Sequence, residues 1–211
     1  MTSEESKRKD FAASQVEWEM AISTVQQGVI TEAEFVKMVI LGTNGLLVPE
    51  RPLADDERRD FDIRLRHHFL EYLGVQVKSS KTLRRHGRAR VLQIAFRLTP
   101  PMDNNPNYWY LLGHLDIKAM AYSEPLFLVP AAFLHKYGRD GMRGSAVQIQ
   151  FKASMEPNSR DRWAQFRLTR AELGPRILEL LEAQAAFRPS TGLTELPDAA
   201  GLLWVGRRKA A

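Results

Sequence analysis

Three polar side chains in the first half of the chain have the types and spacing that metal-assisted hydrolysis needs. Asp62 lies near the start of one predicted strand, and Gln76 and Lys78 lie two residues apart on the next. Successive side chains of a strand point to opposite sides of a sheet, so Gln76 and Lys78 share one face. Carboxylate and amide oxygens bind Mg²⁺, and a nearby lysine can orient or deprotonate the attacking water. If the two strands are neighbours, the three side chains can converge on one point.

Two helices are predicted before these strands. Residues 11–27 place apolar side chains at a loose helical period, and Gly28 is predicted to end that helix. Thr31 is predicted to be the N-cap of a second helix, because acids follow it in the first turn and a broad apolar face follows them. The second helix is expected to cover residues 31–41.

Residues 61–69 alternate apolar and polar side chains, which predicts a strand with one solvated face. Residues 73–77 and 91–98 are predicted as the second and third strands, and such closely spaced strands favour an antiparallel meander. Further predicted strands are residues 108–115, 126–129, 147–151 and 163–168, the last two being late strands. Pro130 is placed to open a short helix over residues 131–137, a turn-rich linker follows over residues 138–144, and a helix is predicted over residues 170–186.

The order of these elements resembles the PD-(D/E)XK, or restriction-endonuclease-like, nuclease superfamily. The resemblance is carried by the helix at residues 31–41, the apolar run and loop at residues 45–59, the run Asp60-Phe61-Asp62-Ile63 and the run Val75-Gln76-Val77-Lys78-Ser79. It is nearest to the small prokaryotic endonuclease-like branch with a Gln-x-Lys motif. The resemblance implies an α/β (α+β) fold in which a central mixed β-sheet is flanked by helices.

The same resemblance implies a function and a set of site residues. A metal-dependent endonuclease would hydrolyse DNA phosphodiester bonds with Mg²⁺ or Mn²⁺, using Asp62, Gln76, Lys78 and Glu34, with Asp62 and Gln76 as metal ligands. Two alternatives stay open. Asp60 can replace Asp62 if the strand register is shifted by two, and Glu34 can be a surface acid that the helix dipole favours.

Two departures from the family pattern motivate a rival interpretation. No proline immediately precedes Asp62, and Gln76 supplies an oxygen ligand without a negative charge, which weakens metal binding. The rival is a catalytically inactive protein with the same fold that binds nucleic acid or acts as a scaffold. A further rival is a structural subunit of a larger assembly, motivated by the apolar aromatic residues 108–115.

The charge of the chain favours an anionic partner. Its 30 Lys and Arg residues against 25 Asp and Glu residues give a net charge of +5 and a pI near 9.6. A basic run follows the predicted catalytic lysine closely, so its members are predicted to bind nucleic acid through the phosphates of DNA. They are Lys81, Arg84, Arg85, Arg88 and Arg90. A homodimer or a place in an assembly is compatible with this prediction.

Other sequence features narrow the class of protein. The chain has no cysteine, which excludes disulfides, thiolate metal sites and a cysteine nucleophile. No stretch is apolar enough for a membrane span and the charged start lacks a signal-peptide core, so a cytoplasmic protein is expected.

His114 and Asp116 form a second, weaker metal pattern. The predicted domains are an N-terminal helical extension (residues 1–28), a nuclease core (29–140) and a C-terminal extension (141–211).

Overall fold

A computed structural model describes residues 22–53, 58–68, 71–87 and 89–187. Its helices are α1 (Thr24–Gly42), α2 (Ala131–Tyr137) and α3 (Arg170–Phe187). Its strands are β1 (Leu47–Glu50), β2 (Phe61–Leu65), β3 (Leu73–Ser80), β4 (Leu83–His86), β5 (Ala89–Leu98), β6 (Tyr108–Asp116), β7 (Ala121–Pro130), β8 (Arg139–Arg143), β9 (Ala146–Ser154) and β10 (Arg167–Leu168). No helix in these described ranges is long and apolar enough to cross a bilayer.

The described strands form two sheets. The large sheet has the order β1-β2-β3-β6-β7-β10, and its β3–β6 pair is parallel whereas its other pairs are antiparallel. The small sheet has the order β4-β5-β9-β8 and is antiparallel. A mixed sheet flanked by helices was predicted and is confirmed.

Each face of the large sheet has a different cover. On the helix-covered face, α1 and α3 pack over Phe61, Val75 and Val77. On the opposite, sheet-covered face, the small sheet and α2 pack over Tyr110 and Leu112, among others. Strand alternation therefore assigns odd-numbered residues of β3 to the helices and even-numbered ones to the small sheet.

The predicted break between two helices is wrong. A single helix α1 passes through Gly28 and Thr31, and its N-cap is Ser23, whose hydroxyl accepts the Gln26 N–H while the Gln26 side chain accepts the Ser23 N–H. The Thr31 hydroxyl bonds back to the Gln27 carbonyl within the helix. Burial of the apolar face outweighs the helix cost of one glycine, about 1 kcal/mol. Residues 11–21 of the predicted first helix lie outside the described residues.

The predicted antiparallel meander is also wrong. β3 is buried on both faces from Leu73 to Val77, as expected of a central strand, and it takes β6 as its parallel neighbour. β5 joins the small sheet instead, where it pairs with β9. The pairing energy of a strand depends on the partner that covers its apolar face, and spacing along the chain does not specify that partner.

Several predicted boundaries change in the structure. β2 ends at Leu65, so His67 and His68 lie in an exposed turn. Within residues 163–168, Ala164–Phe166 is a 3₁₀ turn and only Arg167–Leu168 is a strand. The basic run and the predicted linker over residues 138–144 both contain strands, β4 and β8 respectively.

Most later elements are as predicted. The predicted strands 108–115, 126–129 and 147–151 lie within β6, β7 and β9, and α2 follows Pro130 directly. α3 contains the predicted helix 170–186. The predicted boundaries after residues 28 and 140 fall inside α1 and β8, so they do not separate secondary-structure elements. The three-part domain organisation stays a prediction.

Candidate active site

Gln76 and Lys78 point from the middle of β3 into the space between the two sheets. Gln76 is buried, and its Oε1 lies 3.1 Å from the Tyr108 hydroxyl of the neighbouring strand β6. Lys78 is half-buried, and its Nζ lies 5.9 Å from the centre of the Phe96 ring on β5. The predicted common face of the Gln-x-Lys pair is confirmed by these contacts, because both partners belong to the sheet-covered side.

Tyr108 holds the amide of Gln76 in place. Its hydroxyl is 3.1 Å from Gln76 Oε1 and 3.0 Å from the Arg58 carbonyl oxygen, but it has only one proton to donate. Turning the Gln76 amide over lets Nε2 donate to the Tyr108 oxygen while the hydroxyl proton goes to Arg58. Gln76 Oε1 then faces away from the Tyr108 hydroxyl.

Asp60 lies against the residue between Gln76 and Lys78. Its Oδ2 accepts the Val77 N–H at 2.6 Å, and its own N–H donates to the Val75 carbonyl at 3.0 Å. β2 pairs with β3 only from Phe61 onward, so this carboxylate occupies the edge that β3 presents where β2 begins. The structure therefore brings Asp60, the alternative left open by the sequence, into contact with the Gln-x-Lys segment.

Asp62 lies two residues further along β2, opposite Gly74 of β3. Its Oδ1 is 3.3 Å from Arg59 Nη1. A Cβ on Gly74 would lie 2.5 Å from Cδ of Arg59, so the absence of a side chain at Gly74 makes room for the arginine that pairs with Asp62. Asp62 shares the sheet-covered face with Gln76 by strand alternation, and it forms an ion pair with Arg59. Its role as a metal ligand stays a prediction.

Glu34 lies on α1, on the helix-covered side of the sheet. Its Oε2 is 2.5 Å from Nζ of Lys37, one helical turn away, and its side chain is 11% exposed. Glu32 is the helix acid nearer the β2 edge, because it lines a shallow cavity of about 220 Å³ with Arg51, Arg59 and Asp60. Residues two apart on a helix do not share a face, so Glu32 and Glu34 reach different surroundings. The predicted role of Glu34 is untested.

The predicted nucleic-acid ligands divide into three groups. Lys81 Nζ donates to the Ile22 carbonyl at 2.6 Å and thus ties β3 to the start of α1. Arg84 and Arg85 are exposed on β4, and Arg90 is exposed beside Glu156 at 3.9 Å. Arg88 lies outside the described residues. Arg84 and Arg85 are therefore the members best placed to meet a polyanion.

The outer face of the small sheet, which points away from the large sheet, extends this basic surface. β4, β5 and β9 contain no Asp or Glu residue. Arg84, Arg97 and Lys152 are exposed on this face, and Gln93, Gln148 and Gln150 lie between them. Arg97 and Lys152 were not predicted as binding residues. The alternation of polar and apolar side chains in β9 was the signal that could have identified this face.

Behind Gln76, the sheet-covered face buries a polar network that the sequence did not predict. Tyr110 Oη lies 3.0 Å from His135 Nε2, and His135 Nδ1 lies 2.8 Å from Asn104 Oδ1. Burial raises the pKa of Tyr110 to about 12 and raises that of Tyr108 further. Burial lowers the pKa of His135, against an opposing effect of Asp103. A neutral His135 that donates to Asn104 and accepts from Tyr110 satisfies all these contacts.

His114 and Asp116, the second metal pattern, have separate hydrogen-bond partners in this structure. His114 Nδ1 lies 3.0 Å from Ser123 Oγ, and its Nε2 lies 3.3 Å from the Lys81 carbonyl. Asp116 Oδ1 accepts the Lys118 and Ala119 N–H groups in the turn after β6. Each side chain thus satisfies a local hydrogen bond. In the part of the chain that the structure describes, no three His, Asp or Glu side chains converge as a complete set of metal ligands.

The donors near the β2–β3 edge fit Mg²⁺ in chemical type. Asp60 and Asp62 supply carboxylates, and Gln76 supplies an amide oxygen, all of which are hard ligands. Mg²⁺ is commonly held by one or two carboxylates and completes its octahedron with waters and substrate phosphates. A full protein cage is therefore not required. The metal requirement itself stays a prediction.

Comparisons with known proteins include a similar solved structure. No family model matches the chain, and no curated protein matches it. The structure of the bacterial homing endonuclease I-Ssp6803I is similar, with a TM-score of 0.49 and 17% sequence identity. The match covers 79% of this chain and 99% of that chain. Membership of the PD-(D/E)XK superfamily stays a prediction.

Proposed function

We propose that this protein is a metal-dependent endonuclease that hydrolyses DNA phosphodiester bonds at the β2–β3 edge. The observation that carries the proposal is the contact of Asp60 with the Val77 N–H, which sets a carboxylate beside the Gln76-x-Lys78 pair. The carboxylate thus lies against the backbone between the amide of Gln76 and the lysine. These three groups are the combination that phosphodiester hydrolysis with Mg²⁺ or Mn²⁺ requires.

Each residue has a distinct task in this proposal. Asp60 and Gln76 would hold the cation, and Asp62 would join them if Arg59 moves to the phosphate. A bound Mg²⁺ would stabilise charge that develops on the phosphate and make water nucleophilic near neutral pH. Lys78 would orient the attacking water or take its proton, and Phe96 limits the directions that its ammonium group can take.

The outer face of the small sheet supports a nucleic-acid partner. Its exposed Arg84, Arg97 and Lys152 match the phosphate charge, and the strands β4, β5 and β9 contribute no acid to oppose it. Interleaved glutamines supply donors and acceptors for base edges. DNA is the proposed partner, and a homodimer would allow both strands of a duplex to be cut.

The alternative proposal is an inactive protein that binds nucleic acid with the same surface. The ion pair between Asp62 and Arg59 favours this alternative, because it neutralises one of the carboxylates that a cation would use. The contact of Gln76 Oε1 with the Tyr108 hydroxyl favours it as well. The structural-subunit alternative has less support, since the aromatic residues 108–115 form the interior strand β6 rather than an exposed patch.

Cleavage of supercoiled plasmid and of single-stranded DNA, each with Mg²⁺, Mn²⁺ or EDTA, tests the proposal. Wild-type protein should nick DNA only with metal, and Lys78→Ala should slow the reaction by about 10²–10⁴-fold, the usual contribution of a general base. Lys118→Ala removes an exposed lysine in the turn after β6 and should cut at the wild-type rate. No cleavage with either metal, or equal cleavage by Lys78→Ala, would favour the inactive binding protein.

Two carboxamide variants separate the candidate metal ligands. Asp60→Asn should lose more activity than Asp62→Asn if the carboxylate beside Val77 is the principal ligand. The reverse order would restore Asp62 to that role. Thermal shifts with Mn²⁺ provide a second measurement, because a cation that binds only the folded protein raises its melting temperature.

A further inference from the structure

A cavity of about 370 Å³ opens beside the candidate active site, on the sheet-covered side. It lies between the residues that lead into β2 and the loop that follows β5. Tyr108 lines it, and the Tyr108 hydroxyl contacts Gln76. The cavity and the candidate active site therefore share a residue. Its volume lies in the range of pockets that take small molecules, about 300–1,000 Å³.

The walls of the cavity suit a flat, partly polar ring. The lining combines aromatic and apolar side chains, namely Tyr72, Tyr108, Tyr110, Leu98, Pro101 and Met102. The Tyr72 ring is exposed, whereas the rings of Tyr108 and Tyr110 are buried. Asp103 and Asn105 add a carboxylate and an amide near the opening, where both are exposed. A nucleobase offers a π face to stack and an edge of donors and acceptors to match such groups.

Two arginines border the same cavity. Arg58 Nη1 donates to the Thr99 carbonyl at 3.2 Å and so bridges the two loops. The Arg59 guanidinium lies 5.0 Å from the centre of the Tyr72 ring. Arginine donors hold phosphates, and Arg59 both lines the cavity and pairs with Asp62. A nucleotide with its base in the cavity would thus present its phosphate toward the β2–β3 edge.

Part of the cavity lining is held in place before any ligand binds. Tyr110 and His135 are lining residues, and both are buried and hydrogen-bonded to each other. The ring centroids of Tyr108 and Tyr110 lie 5.2 Å apart, with an angle of 43° between the ring planes. A preformed aromatic wall lowers the entropy cost of binding.

We propose that this cavity binds one unpaired nucleobase of the nucleic acid held at the candidate active site. The proposal rests on the proposed function and extends it, because it makes an extrahelical or single-stranded base the preferred feature of the substrate. Extruding a paired base costs free energy, and a base that is already unpaired avoids this cost. The protein should therefore prefer duplexes with an unpaired nucleotide.

Fluorescence anisotropy in EDTA tests this preference without cleavage. A labelled duplex with one bulged adenine should bind at least about tenfold more tightly than the fully paired duplex. Met102→Trp fills the cavity and should abolish the preference while paired-duplex binding persists. Met120→Trp is the matched control, because Met120 is exposed in the turn at the opposite end of β6. Thr99→Trp provides a second filling variant at an exposed position if Met102→Trp does not fold.

The outcomes separate this inference from the nuclease proposal. Equal affinity for bulged and paired duplexes, or a preference that survives both filling variants, would overturn the cavity assignment and leave the cleavage assay to judge the nuclease. If no duplex binds but deoxyadenosine monophosphate raises the melting temperature of wild type and not of Met102→Trp, the cavity binds a free nucleotide, and its assignment to a base of a bound nucleic acid is overturned. Absence of both effects would overturn the cavity assignment as well, and the cleavage assay would still decide the nuclease proposal.

Discussion

On the helix-covered face of the large sheet the buried polar side chains Gln27 and Thr31 belong to α1, whereas on the sheet-covered face Gln76 of the sheet itself is buried, together with His135. Phe61, Val75 and Leu111 pack under α1 and α3, and none of these residues is more than 1% exposed. On the other face, Gln76 and His135 are buried among tyrosines and phenylalanines. Apolar burial stabilises a fold at roughly 25 cal/mol per Å² without directional demands, but a buried polar group needs a partner with defined geometry.

The two faces of the sheet therefore contribute differently to the protein. The helix-covered face contributes stability mainly through apolar packing. The sheet-covered face holds its polar side chains through specific hydrogen bonds, and such fixed groups are what a catalytic or binding site needs. Mutations of similar size should therefore change mainly the free energy of unfolding on the helix-covered face and mainly the cleavage rate on the sheet-covered face.

The largest expected effect is on stability, from truncation on the helix-covered face. Phe61→Ala should lower the free energy of unfolding by about 3–5 kcal/mol, because it leaves a cavity beside Phe35. Phe96→Ala is the matched change on the other side and should cost less, since Phe96 is only partly buried. Phe96→Ala should instead slow cleavage, because it removes the ring beside Lys78. Urea unfolding measures the stability of both variants, and DNA cleavage measures their rates. Equal losses of stability in the two variants would contradict the proposed difference between the two faces.

Two glycine substitutions test the same difference between the two faces, with smaller expected changes in stability. A Cβ on Gly113 would lie 2.6 Å from two ring atoms of the buried Tyr122, so Gly113→Ala should destabilise the protein by about 1–3 kcal/mol. Gly74→Ala would meet the flexible Arg59 side chain instead, which can move. The Gly74 variant should keep most of its stability and lose nucleic-acid affinity as Arg59 is displaced. Calorimetry and anisotropy distinguish the two results.

Removing one hydroxyl should test the polar network behind Gln76. Tyr108→Phe leaves the Arg58 carbonyl and the Gln76 amide without that partner, at a cost of about 1–2 kcal/mol in stability. It should also reduce the cleavage rate at saturating DNA, because Gln76 is no longer held. Tyr72→Phe removes an exposed tyrosine's hydroxyl and is the control. Unchanged cleavage by Tyr108→Phe would show that Tyr108 is structural only.

The smallest expected effect is a pH dependence of stability on the sheet-covered face. Burial lowers the pKa of His135 from its ordinary value of 6.5, so the unfolded chain binds a proton that the folded chain does not. Stability should be full above about pH 6.5 and should decline as the pH falls through the range between the unfolded and folded pKa values. His135→Gln keeps an acceptor for Tyr110 and should flatten this decline in urea unfolding. An unaltered slope would assign the decline to other groups, such as His114, whose pKa burial also lowers.

Local sequence signals gave correct predictions where a segment has the same kind of neighbours along its whole length. The alternation in β3 correctly put Gln76 and Lys78 on one face, and Pro130 correctly opened α2. The Gly28 signal failed because helix ends depend on packing as well as propensity, and α1 is held across Gly28 by its buried face. The cavity beside Tyr108 was not predicted, since its lining residues come from segments far apart in the chain.

The sequence by itself determined the strand alternation, the Gln-x-Lys pair, the basic charge and the absence of cysteine chemistry. These properties depend on residue types and on spacing within one element. Only the tertiary structure decided that β3 pairs with β6 and that Asp60 contacts the Gln-x-Lys segment. It also decided that Glu34 lies on the helix-covered side of the sheet, opposite Gln76 and Lys78. The physical reason is that strand pairing and register come from long-range burial, and a shift of one or two residues changes which side chains meet.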